Sequence, residues 1–177
     1  MAFPATQTTL PDKLPPFIAG QLADLWTEEN GDVQTATSEE ATAGIPFGVM
    51  VGEGEGEDGV LLLAATDDAL AGIAVYDPID PLNLDADGKL KPGWTFDRLT
   101  VGRVAVIVEN AVSKDSEVHV RAVAVDPEQA GAFRAGADGA DTISLVGIAK
   151  FVTETTGAGI AIVDIDLRNA ALATADS

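Results

Sequence analysis

The 177-residue chain has no cysteine. Disulfide staples, thiolate metal sites and thiol nucleophiles are therefore excluded. Aromatic residues make up only 5% of it, and it holds a single histidine. Cations are scarce as well: 10 lysines and arginines stand against 29 aspartates and glutamates, for a formal net charge of −19. Phosphate backbones are bound by a basic footprint, so no direct nucleic-acid partner is expected. An anionic membrane surface is disfavoured on the same ground. No apolar run approaches the roughly 20 residues that span a bilayer. The N-terminus shows no charged segment followed by an apolar stretch, so a protein made in the cytoplasm without a signal peptide is expected.

What the chain does have is 46% hydrophobic residues, largely alanine and valine. A domain of this length buries roughly 70% of its unfolded surface, enough for a core without metals or disulfides. Small and β-branched side chains suit pleated sheets. Pro4, Pro11, Pro15 and Pro16 bias residues 1–16 toward an extended arm, whose apolar points are Phe3, Leu10 and Leu14. Residues 17–44 read as an arm or loop region. There Ile18, Leu22, Leu25 and Trp26 fall at the spacing of a short amphipathic helix, Gly20 weakens it, and a short strand is expected near Val33. Residues 45–168 read as a β domain and residues 169–177 as a C-terminal tail.

Within the β domain, strand patterns alternate with turn signals. Ile45 to Val51 and Val60 to Ala65 flank the glycine- and acid-rich residues Gly52 to Gly59, as a hairpin with a flexible tip. Gly72 to Tyr76 is a strand that stops before a proline-rich loop. Arg103 to Glu109 and Glu117 to Val125 alternate across a short polar turn, so the two are expected to pair antiparallel. Ile143 to Val152 and Ile160 to Leu167 complete the set. The lack of long helices between strands argues against a parallel α/β sheet. The expected fold is mainly β: an antiparallel β-sandwich, jelly-roll-like, or a small β-barrel. Leu70 to Tyr76 also resembles Leu145 to Phe151, either as a twofold-repeated β unit or as two core strands converging on a small alphabet.

No constellation for catalysis emerges. His119 stands between Val118 and Val120 without a nucleophile to serve or a group to orient it, and reads as a surface or interface strand position. Asn83 to Gly88 copies the start of a calcium loop, but Trp94 stands where the closing glutamate belongs, so a polar turn is the better reading. The carboxylates of residues 53–58 sit in a turn that nothing desolvates, and they would repel phosphate. No enzyme activity, cofactor or metal is expected. Trp94, Phe96, Arg98 and Arg103 suit binding better, since aromatics and arginine are enriched in protein interfaces. For the two aromatics the alternative is a core position at a strand start. Phe17 and Trp26 join the arm residues as further interface candidates.

A succession of short motifs then resembles one known family. Gly20-Gln21-Leu22-Ala23-Asp24 precedes Glu39-Glu40 and Ile45-Pro46-Phe47-Gly48-Val49-Met50-Val51. That order is similar to the G-x-x-A-D segment, paired acids and P-F-G-x-x-V strand of the structural cement, or decoration, proteins of tailed-phage capsids. Gly72-Ile73-Ala74-Val75, Val101 to Val106, Val118-His119-Val120-Arg121, Gly131-Ala132-Phe133-Arg134, Leu145 to Phe151 and Ala161 to Leu167 follow in the order of that family. The resemblance runs from about residue 17 to 167, and the acidic residues 53–58 depart from it. It implies an outer-capsid protein of the virion, bound between major capsid protein subunits, without catalytic residues. A homo-oligomer on a symmetry axis would suit that role, a trimer rather than a dimer. The alternative is a carbohydrate- or cell-surface-binding β module using Trp94 and Tyr76.

Overall fold

The computed structural model of the chain describes residues 17–23, 31–76 and 84–169. Its strands are β1 (Asp32–Ser38), β2 (Met50–Glu53), β3 (Gly59–Leu62), β4 (Leu70–Ala74) and β5 (Thr95–Val108). They continue with β6 (Val118–Arg121), β7 (Phe133–Ala135), β8 (Thr142–Ser144), β9 (Ala149–Phe151) and β10 (Gly159–Asp166). A 3₁₀ turn, Leu167–Asn169, follows. Among the described residues there is no α-helix, and none of residues 17–23 is helical. There Leu22 bridges Val104 instead, and Leu25 and Trp26 lie outside the described residues. The fold is mainly β, as expected, and of the expected alternatives it takes the barrel.

The barrel closes through five strands in the order β1-β3-β2-β4-β5, with β5 returning to pair β1. The β1–β3 pair is parallel and the other four pairs are antiparallel. Closure removes the exposed edges that an open sheet of short strands would present. Alternation along each strand points one set of side chains inward. Ala36, Val60, Val51, Ala74 and Phe96, one from each strand, meet in one buried core with Ile45, Phe47 and Leu90.

β5 is 14 residues long and serves both halves of the molecule. Its first half pairs β1 and β4, and its second half pairs β10 along eight residues. The same ten-stranded sheet continues away from the barrel, as a second part called the second sheet below, through β7, β6 and β8 on one side of β5 and β10 and β9 on the other. Val104, Val106, Val108, Val118, Val120, Phe133, Leu145, Phe151 and Val163 form its core, which Met50, Ile73 and Leu99 of the barrel wall join. Gly131 makes that seam possible: it has φ +81° and donates no Cβ where one would collide with the Met50 carbonyl.

Several expectations are corrected. Residues 32–38 form a full strand rather than a loop with a short strand near Val33, because β5 supplies a long partner for them. Arg103 to Glu109 and Glu117 to Val125 do not pair with each other. β7 stands between them, parallel to β5 at Phe133 and antiparallel to β6. The strand expected over Ile143 to Val152 is broken by a turn, so that β8 pairs β6 while β9 pairs β10. That break also separates Leu70 to Tyr76 from Leu145 to Phe151: the former holds strand β4, while the latter begins in the turn. The hairpin flanking the acidic residues is present as β2 and β3.

Candidate functional site

The acidic tip of the β2–β3 hairpin is an ordered turn, not the flexible connection its composition suggests. Glu39, just past the end of β1, reaches into it. Its carboxylate accepts the backbone N–H of Glu55 at 2.7 Å and of Gly56 at 2.8 Å. Gly54 and Gly59 crowd the same carboxylate so closely that a Cβ on either would overlap it. Next to it, Glu40 accepts the N–H of Leu62 at 2.7 Å. The paired acids thus hold both the tip and the outgoing strand of the hairpin. Glycines let the chain wrap an anion with its amides, which offsets the repulsion from the other carboxylates of the turn.

Trp94 lies beside this pinned end of the barrel. Its carbonyl accepts the Ser38 N–H at 2.9 Å, and Ser38 in turn accepts the Gly93 N–H at 2.8 Å. The indole is 43% exposed, which makes Trp94 a large apolar side chain offered to solvent. The other grouped candidates do not join it. Phe96 is buried in the barrel core, the alternative its position allowed. Arg98 donates to Gln34 Oε1 at 3.2 Å. Arg103 pairs Asp164 at 3.1 Å on the second sheet. Phe17 is half-buried. Phe3, Leu10, Leu14 and Trp26 lie outside the described residues. Tyr76 is half-buried and packs against Phe47 in a T-shaped pair, centroids 5.1 Å apart.

The histidine that pattern reading placed at a surface or interface position is buried, and so is Arg121 two residues on. His119 is 6% exposed, and Arg121 is fully buried. β7 and β8 pair the two edges of β6, and carboxylates from the loops at Glu128 and Asp138 reach its Arg121. Arg121 donates to both oxygens of Glu109, at 2.6 and 3.0 Å, and to Asp138 at 2.7 Å, and it pairs Glu128 at 3.0 Å. Arg134 donates to the same Asp138 oxygen at 2.6 Å. The hydrogen bonds to Glu109 hold the Arg121 guanidinium protonated more firmly than an ordinary arginine, against the desolvation of its burial. Arg121 and then Arg134 push the Asp138 carboxyl below the usual carboxylate range. This network ties β5, β6, β7 and the loops at Glu128 and Asp138 into one body.

No group of metal-ligating side chains occurs among the described residues. Asp85, at the calcium-like stretch, instead accepts the N–H groups of Asp87 and Lys89 at 2.9 Å each, a polar turn; Asn83 lies outside the described residues. No described helix is long and apolar enough to cross a membrane. The described side chains therefore assemble a scaffold held by ion pairs and pinned turns.

Comparison with known proteins places this scaffold. The sequence profile of the structural cement proteins (E217 gp24/Pam3 gp6) matches residues 6–166. The chain belongs to this structural cement protein family. A chain of the capsid of Myoviridae phage XM1 shares the fold, with a TM-score of 0.62 at 19% identity over 94% of this chain and 98% of that one. The base of the phage phi29 head fibre gp8.5 aligns at a TM-score of 0.45 and 12% identity, over 77% of this chain and 94% of that one. No curated protein matches. Membership of a cement family points to a structural, non-enzymatic component of a phage virion.

Proposed function

We propose that this cement-family protein decorates the outer surface of a phage capsid and stabilises the contacts between major capsid protein subunits. The observation that carries the proposal is the family match across residues 6–166, on a fold whose Glu39 and Arg121 side chains are spent on structure. A cement must resist deformation. The closed barrel, the pinned tip and the Arg121 network supply that rigidity. It acts as a homo-oligomer on a symmetry axis of the shell, a trimer rather than a dimer, so that one patch repeats against equivalent sites. Trp94 contributes from the barrel end, with Arg103 on the second sheet. Phe3, Leu10, Leu14, Phe17 and Trp26 contribute from the arm and its root, where ordering on the shell lets a short segment cover a large surface.

The test is reconstitution. Purified protein is added to expanded shells that lack it, and occupancy is read by co-sedimentation and electron microscopy. Saturable binding at symmetry-related positions and a rise in the temperature of shell rupture are expected. Deleting residues 2–16, or Trp94→Ala, weakens occupancy. Wild-type protein that fails to bind such shells overturns the proposal.

A further inference from the structure

Two connections of the second sheet frame an open cleft. The connection between β5 and β6 and the connection between β9 and β10 are locked side by side. Val112 donates to the Thr155 carbonyl at 3.2 Å, and Thr155 returns a bond to the Val112 carbonyl at 3.0 Å. Thr155 Oγ1 braces the lock by donating to the Asn110 carbonyl at 3.4 Å. Between the two connections lies an open cleft of ≈ 530 Å³, lined by Ala111, Val112, Ser113, Ser116, Glu154 and Thr156 among others. Its size is within the roughly 300–1,000 Å³ of small-ligand sites.

The lining has a definite chemistry. Exposed Ala111 supplies apolar surface, with buried Val112 behind it. Ser113 Oγ and Ser116 Oγ lie 3.0 Å apart, so one donates to the other, and Ser116 Oγ also accepts the Ser113 N–H at 3.0 Å; at least one acceptor lone pair of the pair remains. Glu154 forms no hydrogen bond or ion pair with any described residue, although Lys114 is exposed on the facing connection. An anion is disfavoured by that carboxylate. A sugar would find no aromatic face among the lining residues. A cationic side chain fits both parts: its aliphatic stem lies on the apolar surface, while its head meets the carboxylate and the hydroxyls.

We infer that this cleft receives an arginine or lysine side chain of a partner protein, with Glu154 as its counter-ion. That the partner is the shell protein rests on the proposed function; the chemistry of the cleft does not. Arginine suits the site better, because its planar fork can engage the carboxylate bidentately and a serine hydroxyl as well.

Two measurements separate these claims. In the first, the isotopically labelled full chain is titrated with N-acetyl-arginine amide, and with the neutral citrulline analogue as control. Saturable shifts at the amides of Ser113, Ser116 and Thr156 are expected with arginine, at least tenfold weaker in Glu154→Gln and absent with citrulline. Equal shifts with citrulline, or shifts unchanged in Glu154→Gln, overturn the inference. In the second, Glu154→Gln is added to empty shells and should bind about tenfold more weakly than wild type, as expected for losing one partner of a desolvated charge pair. Wild-type binding with undiminished Glu154→Gln binding overturns the shell as the source of the cation. Wild-type protein that does not bind shells at all sinks the proposed function while leaving the titration to decide the cleft.

Discussion

Glu39 holds Glu55 by its backbone: the carboxylate at the end of β1 accepts the Glu55 N–H at 2.7 Å, so one acid fixes the turn that displays others. Replacing Glu39 with alanine removes this bond and the one from Gly56. Charged acceptors on backbone N–H groups contribute about 1.5–3 kcal/mol when sheltered, and the exposure of this tip puts the expected loss near about 1–2 kcal/mol. For a chain of this size that lowers the melting midpoint by roughly 2–4 °C per kcal/mol. Hydrogen exchange should quicken at Glu55 and Gly56 well before it does in β2. Gly59→Ala should reproduce the effect from the other side, since its Cβ would displace the same carboxylate. Unaltered exchange at the tip in Glu39→Ala would show that the turn holds itself.

Arg121 is the side chain whose loss should be felt most. Arg121→Met leaves Glu109, which is 7% exposed, without its bidentate partner, and strips Glu128 and Asp138 of a cation. Breaking a buried pair from one side costs about 3–5 kcal/mol, and Arg134 nearby should keep the cost at the lower end. Arg121→Lys should recover only part of it, because an ammonium cannot reproduce the fork. Urea denaturation of the two variants, and of Arg121→Met combined with Glu109→Gln, checks both statements. Strict additivity in the combined variant would argue against coupling.

The same network shapes the acid limb of stability. The folded pKa of Asp138 is depressed, chiefly by Arg121 and then by Arg134. A depressed carboxyl contributes stability that is fully present above its unfolded value, near 3.9, and lost as pH falls through the lower folded value. Asp166, depressed by its hydrogen bond from Arg168, acts in the same direction. Wild-type protein should therefore keep a plateau down to about pH 4 and lose stability below it. Asp138→Asn should be less stable than wild type at pH 7, with a shallower decline below pH 4. Parallel acid limbs for the two proteins would rule Asp138 out as a contributor.

Much of this architecture is readable from the chain. The β class, the hairpin around the acidic tip, the final strand and the family motifs all rest on local pattern, and local pattern is what short strands and glycine turns express. The failures share a cause in distant pairing. Val104, Val106 and Val108 announce a strand, but nothing near them says that its other neighbour is Phe133 rather than Val118. Ile143 to Val152 reads as one strand because the turn that breaks it still carries Leu145 into the core. Arg121 alternates with valines and so reads as solvent-facing. Its carboxylate partners Glu128, Glu109 and Asp138 lie 7, 12 and 17 residues away, on segments whose approach depends on the tertiary fold. Glu39 and Glu40 stand out only as paired acids, and their partners in the β2–β3 hairpin lie 16 to 22 residues on.

His119 gives the sharpest contrast between chemical type and role. It is 6% exposed, and neither ring nitrogen has a hydrogen-bond partner among the described residues; a carboxylate oxygen of exposed Glu117 lies 3.6 Å from Nε2. A buried polar group without a partner carries its desolvation cost uncompensated, and replacing it with an apolar group of similar shape is nearly neutral or stabilising. His119→Leu should therefore leave the unfolding free energy unchanged or raise it by up to about 1 kcal/mol, where most core substitutions lower it. His119→Ala should instead lower it by about 2 kcal/mol or more, because the ring volume is lost as a cavity. Chemical denaturation of both variants decides the matter. A loss of more than about 2 kcal/mol in His119→Leu would show that the imidazole makes a polar interaction that holds β6 in place.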